Sequence, residues 1–279
     1  MAPPTLPWRG PGGERPDLPL PPGPMPLRRD GQLRKRWRYV GVFAPELMLC
    51  AARAEVGPLG QSFWVMWDRE GRYHDARTTL RPGSREVTLE GPMLEIDSPD
   101  LRASLRLGRC LPIESICPSG SGWGWTRKRA GVPVEGTVEV PGKRWVISAR
   151  GVDDESAGYH QRRTSWRWSA GVGRLADGRR LAWNLVEGVN DPAERSERAI
   201  WVDGEPTEPP PVSFRGMDGI DLAGENRLDF ASESSHARDE NLVLISSRYR
   251  HRFGTFTGAL AGLQLAEGFG VMEEHDALW

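Results

Sequence analysis

Between Gly158 and Asn190 the chain reads GYHQRRTSWRWSAGVGRLADGRRLAWNLVEGVN, and this stretch concentrates residue types able to do chemistry. One carboxylate, Glu187, stands among apolar residues near Trp166, Trp168 and Trp183, and one imidazole, His160, follows Tyr159. A carboxylic acid held among indoles resists ionisation, so its pKa rises and it can give up a proton near neutral pH. A histidine beside it would serve as partner or base. Indole faces exclude water and stabilise positive charge. These residues suit proton-transfer chemistry without a redox cofactor, with Glu187 as acid and His160 as its partner.

The elements that position them follow from the turn signals. Asp177-Gly178 is a strong two-residue hairpin signal. With those two residues as the turn, Ala176 faces Arg179, and outward pairing sets Ala170 against Leu185 and Val172 against Trp183. It continues with Trp168 against Glu187 and Trp166 against Val189. Side chains alternate across a strand, so these eight share one apolar face that contains a carboxylate. Ser169, Gly171, Gly173 and Asn184 fall on the other, smaller face. A core explains the tryptophans, but a buried carboxylate requires a partner or a proton. A structural ion pair with Arg162 or Arg163 is the alternative to a pocket acid. The assignment depends on register, because a slip of one residue carries Glu187 to the opposite face.

The last strand repeats the pattern. In LQLAEGFGVME, Glu267 shares parity with Leu263, Leu265, Phe269 and Val271, which makes it the second candidate acid. His251 shares parity with Val243, Ile245, Tyr249 and Phe253 and reads as a half-buried core histidine, with Tyr249 a candidate ligand contact. His275, in EEHDALW, reads as a surface residue near the chain end. Trp123 and Trp125 lie two apart on one strand face, placed to stack on Arg127 or Arg129 or to floor a ligand site. Tyr159 joins Trp166, Trp168 and Trp183 as a ligand contact. No two of the five histidines show metal-ligand spacing, and no phosphate loop, nucleophile elbow or dinucleotide fingerprint is present. The expectation is no metal and no cofactor.

The surrounding sequence is a succession of short alternating runs split by turn signals such as DREG, SPD, PG and DG, recurring about every 8–12 residues. Gly 33 and Pro 24 in 279 residues suit a turn-rich β protein. The expected class is all-β, an antiparallel sandwich or barrel. The expected organisation is a Pro/Gly-rich arm over 1–33, whose Leu18, Leu20, Met25 and Leu27 could dock on the body, then β modules over 34–146 and 147–279.

A formal net charge of −1 gives no field to recruit nucleic acid. Local basic clusters at Arg28, Arg29, Arg34, Lys35, Arg36 and Arg38, and at Arg127, Lys128 and Arg129, read as solvated strand edges, with an anion or lipid-headgroup contact as the other reading. Cys50, Cys110 and Cys117 are odd in number, which suits reduced thiols. The most apolar stretch, VGVFAPELMLCAA, is too short and too interrupted to span a membrane. No charged-then-apolar leader pattern opens the chain, so a cytoplasmic location is expected. Oligomeric state is left open.

Longer segments carry a family resemblance. WTRKRAGVPVEGTVEV, the Gly158–Asn190 stretch, ERAIWVDGE and YRHRFGTFTGALAGLQLAEGFGVMEEHDALW resemble the bacterial domain-of-unknown-function family number 2804, with KRWRYVGVFAPEL similar to its N-terminal segment. That family has no established activity. In layout it is similar to the two-part lipocalin-like proteins that include carotenoid hydratases and tocopherol cyclases. The resemblance implies two β modules with an isoprenoid-type ligand between them, managed by aromatic residues and a few acids. Gly158–His160 with Trp166 matches the Tyr-His…Trp stretch of those enzymes, while Gln161 and Arg162 stand where they carry an Asp-His pair. The aromatic pocket carries over better than the reaction.

The functional expectation is therefore a hydrophobic or amphipathic small molecule held in an aromatic-lined β pocket. Acid–base chemistry of the hydratase, isomerase or cyclase kind is one reading, and a non-catalytic lipid carrier or sensor is another. A carbohydrate-active sandwich is the third, provided Glu187 and Glu267 lie about 5–10 Å apart across an open groove.

Overall fold

The computed structural model describes residues 6–71, 73–80, 84–224, 226–242, 245–260 and 262–278. Among them there is no helix, and so none long and apolar enough to cross a membrane. The protein is all-β, built as two lipocalin-like antiparallel modules.

The arm supplies three two-residue strands, β1 (Trp8–Arg9), β2 (Arg28–Arg29) and β3 (Gln32–Leu33). The first sheet begins with β4 (Lys35–Phe43), β5 (Leu47–Val56), β6 (Leu59–Asp68) and β7 (Tyr73–Thr79). It continues with β8 (Val87–Glu90), β9 (Met93–Asp97), β10 (Arg102–Leu107), β11 (Ile113–Ser119), β12 (Gly122–Val140) and β13 (Lys143–Gly158). The second contains β14 (Arg163–Leu175), β15 (Arg180–Glu187), β16 (Ala199–Val202), β17 (Glu205–Thr207) and β18 (Ser213–Phe214). It ends with β19 (Gly219–Asp221), β20 (Arg227–Leu242), β21 (Ile245–Leu260) and β22 (Leu263–Leu278).

The two sheets share one wiring plan. The first runs β7-β6-β5-β4-β13-β12-β10-β9-β8, and the second runs β17-β16-β15-β14-β22-β21-β20-β19-β18. In each, the first long strand pairs with the last, β4 with β13 and β14 with β22. A meander of strands extends to either side of that central pair. The chain passes between sheets from Gly158 to Arg163. The strand Lys143–Gly158, expected at the start of a second module, thus pairs within the first, because its whole length is taken up by β12 and β4.

Each sheet curls around its own core. Val40, Leu49, Trp64, Leu94, Leu105, Val134 and Ile147 fill the first, and Leu181, Trp183, Leu185, Ile220, Phe256 and Met272 fill the second. The opposite faces pack against each other through a third cluster that includes Tyr39, Phe43, Val65, Trp168, Ala170, Trp201 and Phe253. The arm makes a fourth, in which Trp8, Leu20 and Met25 cover Ile116, Trp123, Trp125 and Tyr159. Leu18 is partly buried there, and Leu27 is exposed.

The central hairpin corrects the expected register by one residue. Leu175 N–H donates to the Arg179 carbonyl and Gly178 N–H to the Leu175 carbonyl, so the loop has three residues, Ala176-Asp177-Gly178. Gly178 takes φ 88°, the left-handed position that ends such a loop. Glu187 therefore faces Arg167 rather than Trp168, and Trp183 faces Gly171 rather than Val172. Trp183 enters the core of the second module, edge-on to Phe256. Trp166 and Trp168 remain on the inter-sheet side, now with Asn184 and Val186.

Candidate functional site

Between the two sheets, beyond the end of their packed seam, lies a cavity of about 200 Å³. Strand alternation sets its walls. From the first sheet come Trp37 and Tyr39 of β4, Ala52 and Ala54 of β5, and Phe63 of β6. From the second come Trp166 and Trp168 of β14, Val186 of β15, Tyr249 of β21, and Glu273 and His275 of β22. The indoles of Trp37 and Trp166 lie parallel, 6.2 Å apart, so one aromatic wall is shared between the sheets.

Glu273 is buried at this wall. Its Oε1 accepts the Trp166 indole N–H at 2.9 Å, and its Oε2 accepts the Tyr249 hydroxyl at 2.7 Å. Burial pushes its pKa up, the Tyr249 and Trp166 hydrogen bonds pull back, and the result is about 7. His275 packs edge-on to Trp166 with ring centroids 4.4 Å apart, and its Nε2 shares a 2.8 Å hydrogen bond with the Ser247 hydroxyl. Burial holds this imidazole down at about 4, so it is neutral. Behind Glu273, on the strand pairing with β22, His251 is fully enclosed with Tyr39 and Cys50 within 3.3 and 3.6 Å of its Nε2. Burial lowers His251 to about 3 and raises the Cys50 thiol, so neither is charged.

The inner end of the cavity is polar. Lys128 Nζ lies 2.6 Å from Asp154 and 3.1 Å from Glu197, and the Asn190 amide donates to Glu197 at 2.9 Å. All four are buried. Burial opposes the Lys128 charge, but the two carboxylates outweigh it and hold the ammonium above its ordinary range. Burial raises both Asp154 and Glu197, with Lys128 opposing. One cation thus serves two buried acids. This contradicts the solvated-edge reading of Lys128, and Arg129 likewise reaches the buried Asp153, whereas the Arg127 side chain is half-exposed and paired with Glu155.

The sequence-derived residues separate into two groups. Trp166, Trp168 and Tyr249 line the cavity. Glu187 lies outside it, half-exposed, 3.5 Å from Arg167 and accepting the Phe214 N–H at 3.3 Å. Glu267 is exposed and 3.5 Å from Arg174, because a bulge between Leu265 and Glu267 breaks the alternation that placed it with Leu265. His160 is buried in the first module rather than beside Glu187. It stacks on Trp37 with centroids 5.4 Å apart and lies over Gly124, where an added Cβ would come within 2.6 Å of its ring. Burial, then Lys35, lower it to about 3. Tyr159, Trp123 and Trp125 form the cradle of the arm: the Tyr159 hydroxyl donates to the Pro26 carbonyl at 2.6 Å, and Arg29, not Arg127 or Arg129, covers the Trp123 ring. Val243, used in the parity of His251, lies outside the described residues.

Sequence reasoning missed Glu273, His275, Lys128, Asp154, Glu197 and Trp37. The signal for two of them was present. Phe269 and Val271 share parity with Glu273 and His275, and following that face to the strand end reaches both.

Residues 83–279 match the model of a family described as a domain of unknown function, DUF2804. The chain belongs to that family. No curated protein matches this DUF2804 chain in sequence. A protein from Nitrosomonas europaea described as AttH superposes with a TM-score of 0.53 at 13% identity, over 91% of this chain and 97% of that one. Kievitone hydratase from Nectria haematococca superposes with a TM-score of 0.55 at 10% identity, over 86% of this chain and 88% of its own. At such identities the common property is the fold, the pair of lipocalin-like modules.

Proposed function

We propose that this DUF2804 protein binds a hydrophobic or amphipathic small molecule between its two sheets and adds a proton to it from Glu273. The observation that carries this reading is the placement of Glu273. It is a buried carboxyl at an aromatic cavity wall, held by two neutral donors, with a pKa of about 7. At neutral pH a large fraction of the protein therefore carries the acid form. Trp37, Trp166 and Tyr249 present ring surfaces around the same space, and such faces stabilise a cation formed there.

The step this supports is protonation of an electron-rich carbon–carbon double bond. The Glu273 O–H bond breaks, a C–H bond forms from the π pair, and a carbocation is left facing the new carboxylate. Water adds to that carbon and returns a proton to Glu273, which completes a hydration. Loss of a neighbouring proton to Glu273 instead completes an isomerisation; attack by a second double bond closes a ring and moves the cation, which then loses a proton to Glu273. The fold shared with kievitone hydratase supports the choice of hydration as the first reaction to test.

An apolar cavity of about 150 Å³ accepts one aromatic ring. About 200 Å³ with an open mouth suits a ring or prenyl-like group with the rest of the ligand outside. The glycosidase reading loses its geometry. Glu187 sits opposite Arg167 and Glu267 opposite Arg174 on the same strand. At about 3.3 Å per residue that separation is roughly 23 Å, beyond any two-carboxylate glycoside mechanism.

The test is to extract natively purified protein with organic solvent, identify what co-purifies by mass spectrometry against a mock preparation, and assay that compound with wild type and Glu273→Gln. Retained binding with lost turnover is the expected result. Turnover unaffected by Glu273→Gln overturns the acid assignment. Binding without turnover in the wild type makes the protein a carrier. An empty cavity that also fails to take up an apolar fluorescent probe overturns the whole reading.

A further inference from the structure

Three of the most exposed large apolar side chains gather at one place. Leu27, Leu59 and Leu80 are 49, 53 and 54% exposed. Leu59 and Leu80 line the open end of the cavity, and Leu27 and Leu59 line an adjoining surface groove. Leu59 follows the β5–β6 turn, where polar residues are the usual choice. Scattered surface leucines need no account, but a contiguous set at the mouth of an apolar cavity marks a contact surface.

The charge around this rim has one sign in excess. Arg29 and Arg34 pair with Asp30 and Glu55. Arg28, next to Leu27, and Arg85, next to Ser84 of the same groove, are exposed, and neither has a carboxylate within ion-pair distance among the described residues, whereas Arg36 faces Glu55 across β4 and β5. Among the described residues, Arg53 donates to the Ser84 and Val87 carbonyls. A chain with net charge −1 thus concentrates unpaired arginines beside its exposed leucines. Apolar side chains flanked by basic ones are the two signals that together hold a protein at a lipid interface.

We infer that the cavity mouth docks on an anionic membrane surface, with Leu27, Leu59 and Leu80 in the headgroup–acyl boundary and the rim arginines on the headgroups. The occupant is a lipid surface because the patch combines excess positive charge with continuity into an apolar cavity. This rests on the reading of an apolar ligand. A molecule of that kind partitions into lipid, and a mouth seated on the bilayer lets it enter without crossing water.

Flotation of the full chain with vesicles tests it. The chain is expected to float with phosphatidylcholine vesicles containing phosphatidylglycerol and to stay behind with phosphatidylcholine alone. Added salt weakens the association. Arg85→Glu weakens it several-fold. Leu59→Asp with Leu80→Asp lowers it more than tenfold, since each leucine loses an apolar environment, while Leu59→Met with Leu80→Met retains it. Uptake of an apolar probe by the wild type, by Arg85→Glu and by the methionine pair reports an intact cavity. Probe uptake without flotation overturns the docking and leaves the cavity reading standing, whereas failure of probe uptake by the wild type overturns the cavity reading. Flotation unchanged by the aspartate pair shows headgroup adsorption alone and overturns insertion. Self-association abolished by that pair, without flotation, assigns the patch to a second copy of the chain and also overturns the proposal.

Discussion

The Trp166 indole N–H donates to Glu273 Oε1 at 2.9 Å across the β14–β22 ladder. The two residues sit diagonally on neighbouring strands, since Trp168 is the direct partner of Glu273 and His275 that of Trp166. An indole can only donate, so it places an acceptor oxygen and leaves the second carboxyl oxygen to share a proton with Tyr249. The arrangement holds the carboxyl in one orientation whether or not it is ionised.

Glu273→Gln should raise stability at neutral and alkaline pH. The folded pKa of about 7 lies above the ordinary 4.5, so the stabilisation from protonating Glu273 is complete below 4.5 and is lost as pH rises through 7. The groups facing it are Tyr249, Trp166, His251, Asp154 and Lys128, of which the last two are themselves paired. Between pH 4.5 and 8 the wild type should lose up to about 3 kcal/mol relative to the glutamine variant. Urea unfolding of both proteins across that range measures it, and parallel curves would refute the assignment.

Lys128→Met should be severely destabilising. It removes the ammonium that lies between Asp154 and Glu197, leaving two buried acids without that cation. Breaking a buried pair from one side costs about 3–5 kcal/mol. Adding Glu197→Gln and Asp154→Asn to Lys128→Met should restore most of the loss, which thermal or urea melts would show as non-additivity.

His251→Gln should flatten the acid side of the stability profile. Its folded pKa of about 3 is below the ordinary 6.5, so its contribution is fully present above 6.5 and is lost as pH falls towards 3. The difference in unfolding free energy between wild type and variant should grow with pH up to about 6.5 and then level off. A difference independent of pH would mean that His251 titrates normally and is not sealed in the seam.

Ala54→Phe should close the cavity. Ala54 lies between Trp37 and Gln61 in the first sheet and contributes to the cavity wall. A ring there occupies empty space, so stability should change by less than about 1.5 kcal/mol while binding of an apolar probe is lost. Tryptophan fluorescence titration reads both quantities on one sample. Unchanged binding would place the ligand elsewhere.

Much of the fold was legible in the chain. Period-two alternation, glycine-marked turns and the lack of any sustained helical period are local properties, and they specify strands and hairpins directly. They carried the all-β class and the two-module plan. The candidate acid was not legible in the same way. Asp-Gly signals a turn, but whether Ala176 joins the loop is decided by backbone dihedrals at Gly178, and that single residue moved Glu187 and Trp183 to the opposite face.

The sequence by itself determined which residues alternate and where strands turn, because these depend on neighbours along the chain. Only the tertiary structure decided that Lys128, Asp154 and Glu197 form one buried cluster, and that Glu273 faces Trp37 across the seam. Lys128 and Asp154 come from paired strands of the first sheet, Glu197 from the loop before β16, and Glu273 from β22 of the second sheet. Their meeting depends on how the two curled sheets pack face to face, and their charge states depend on the burial which that packing creates.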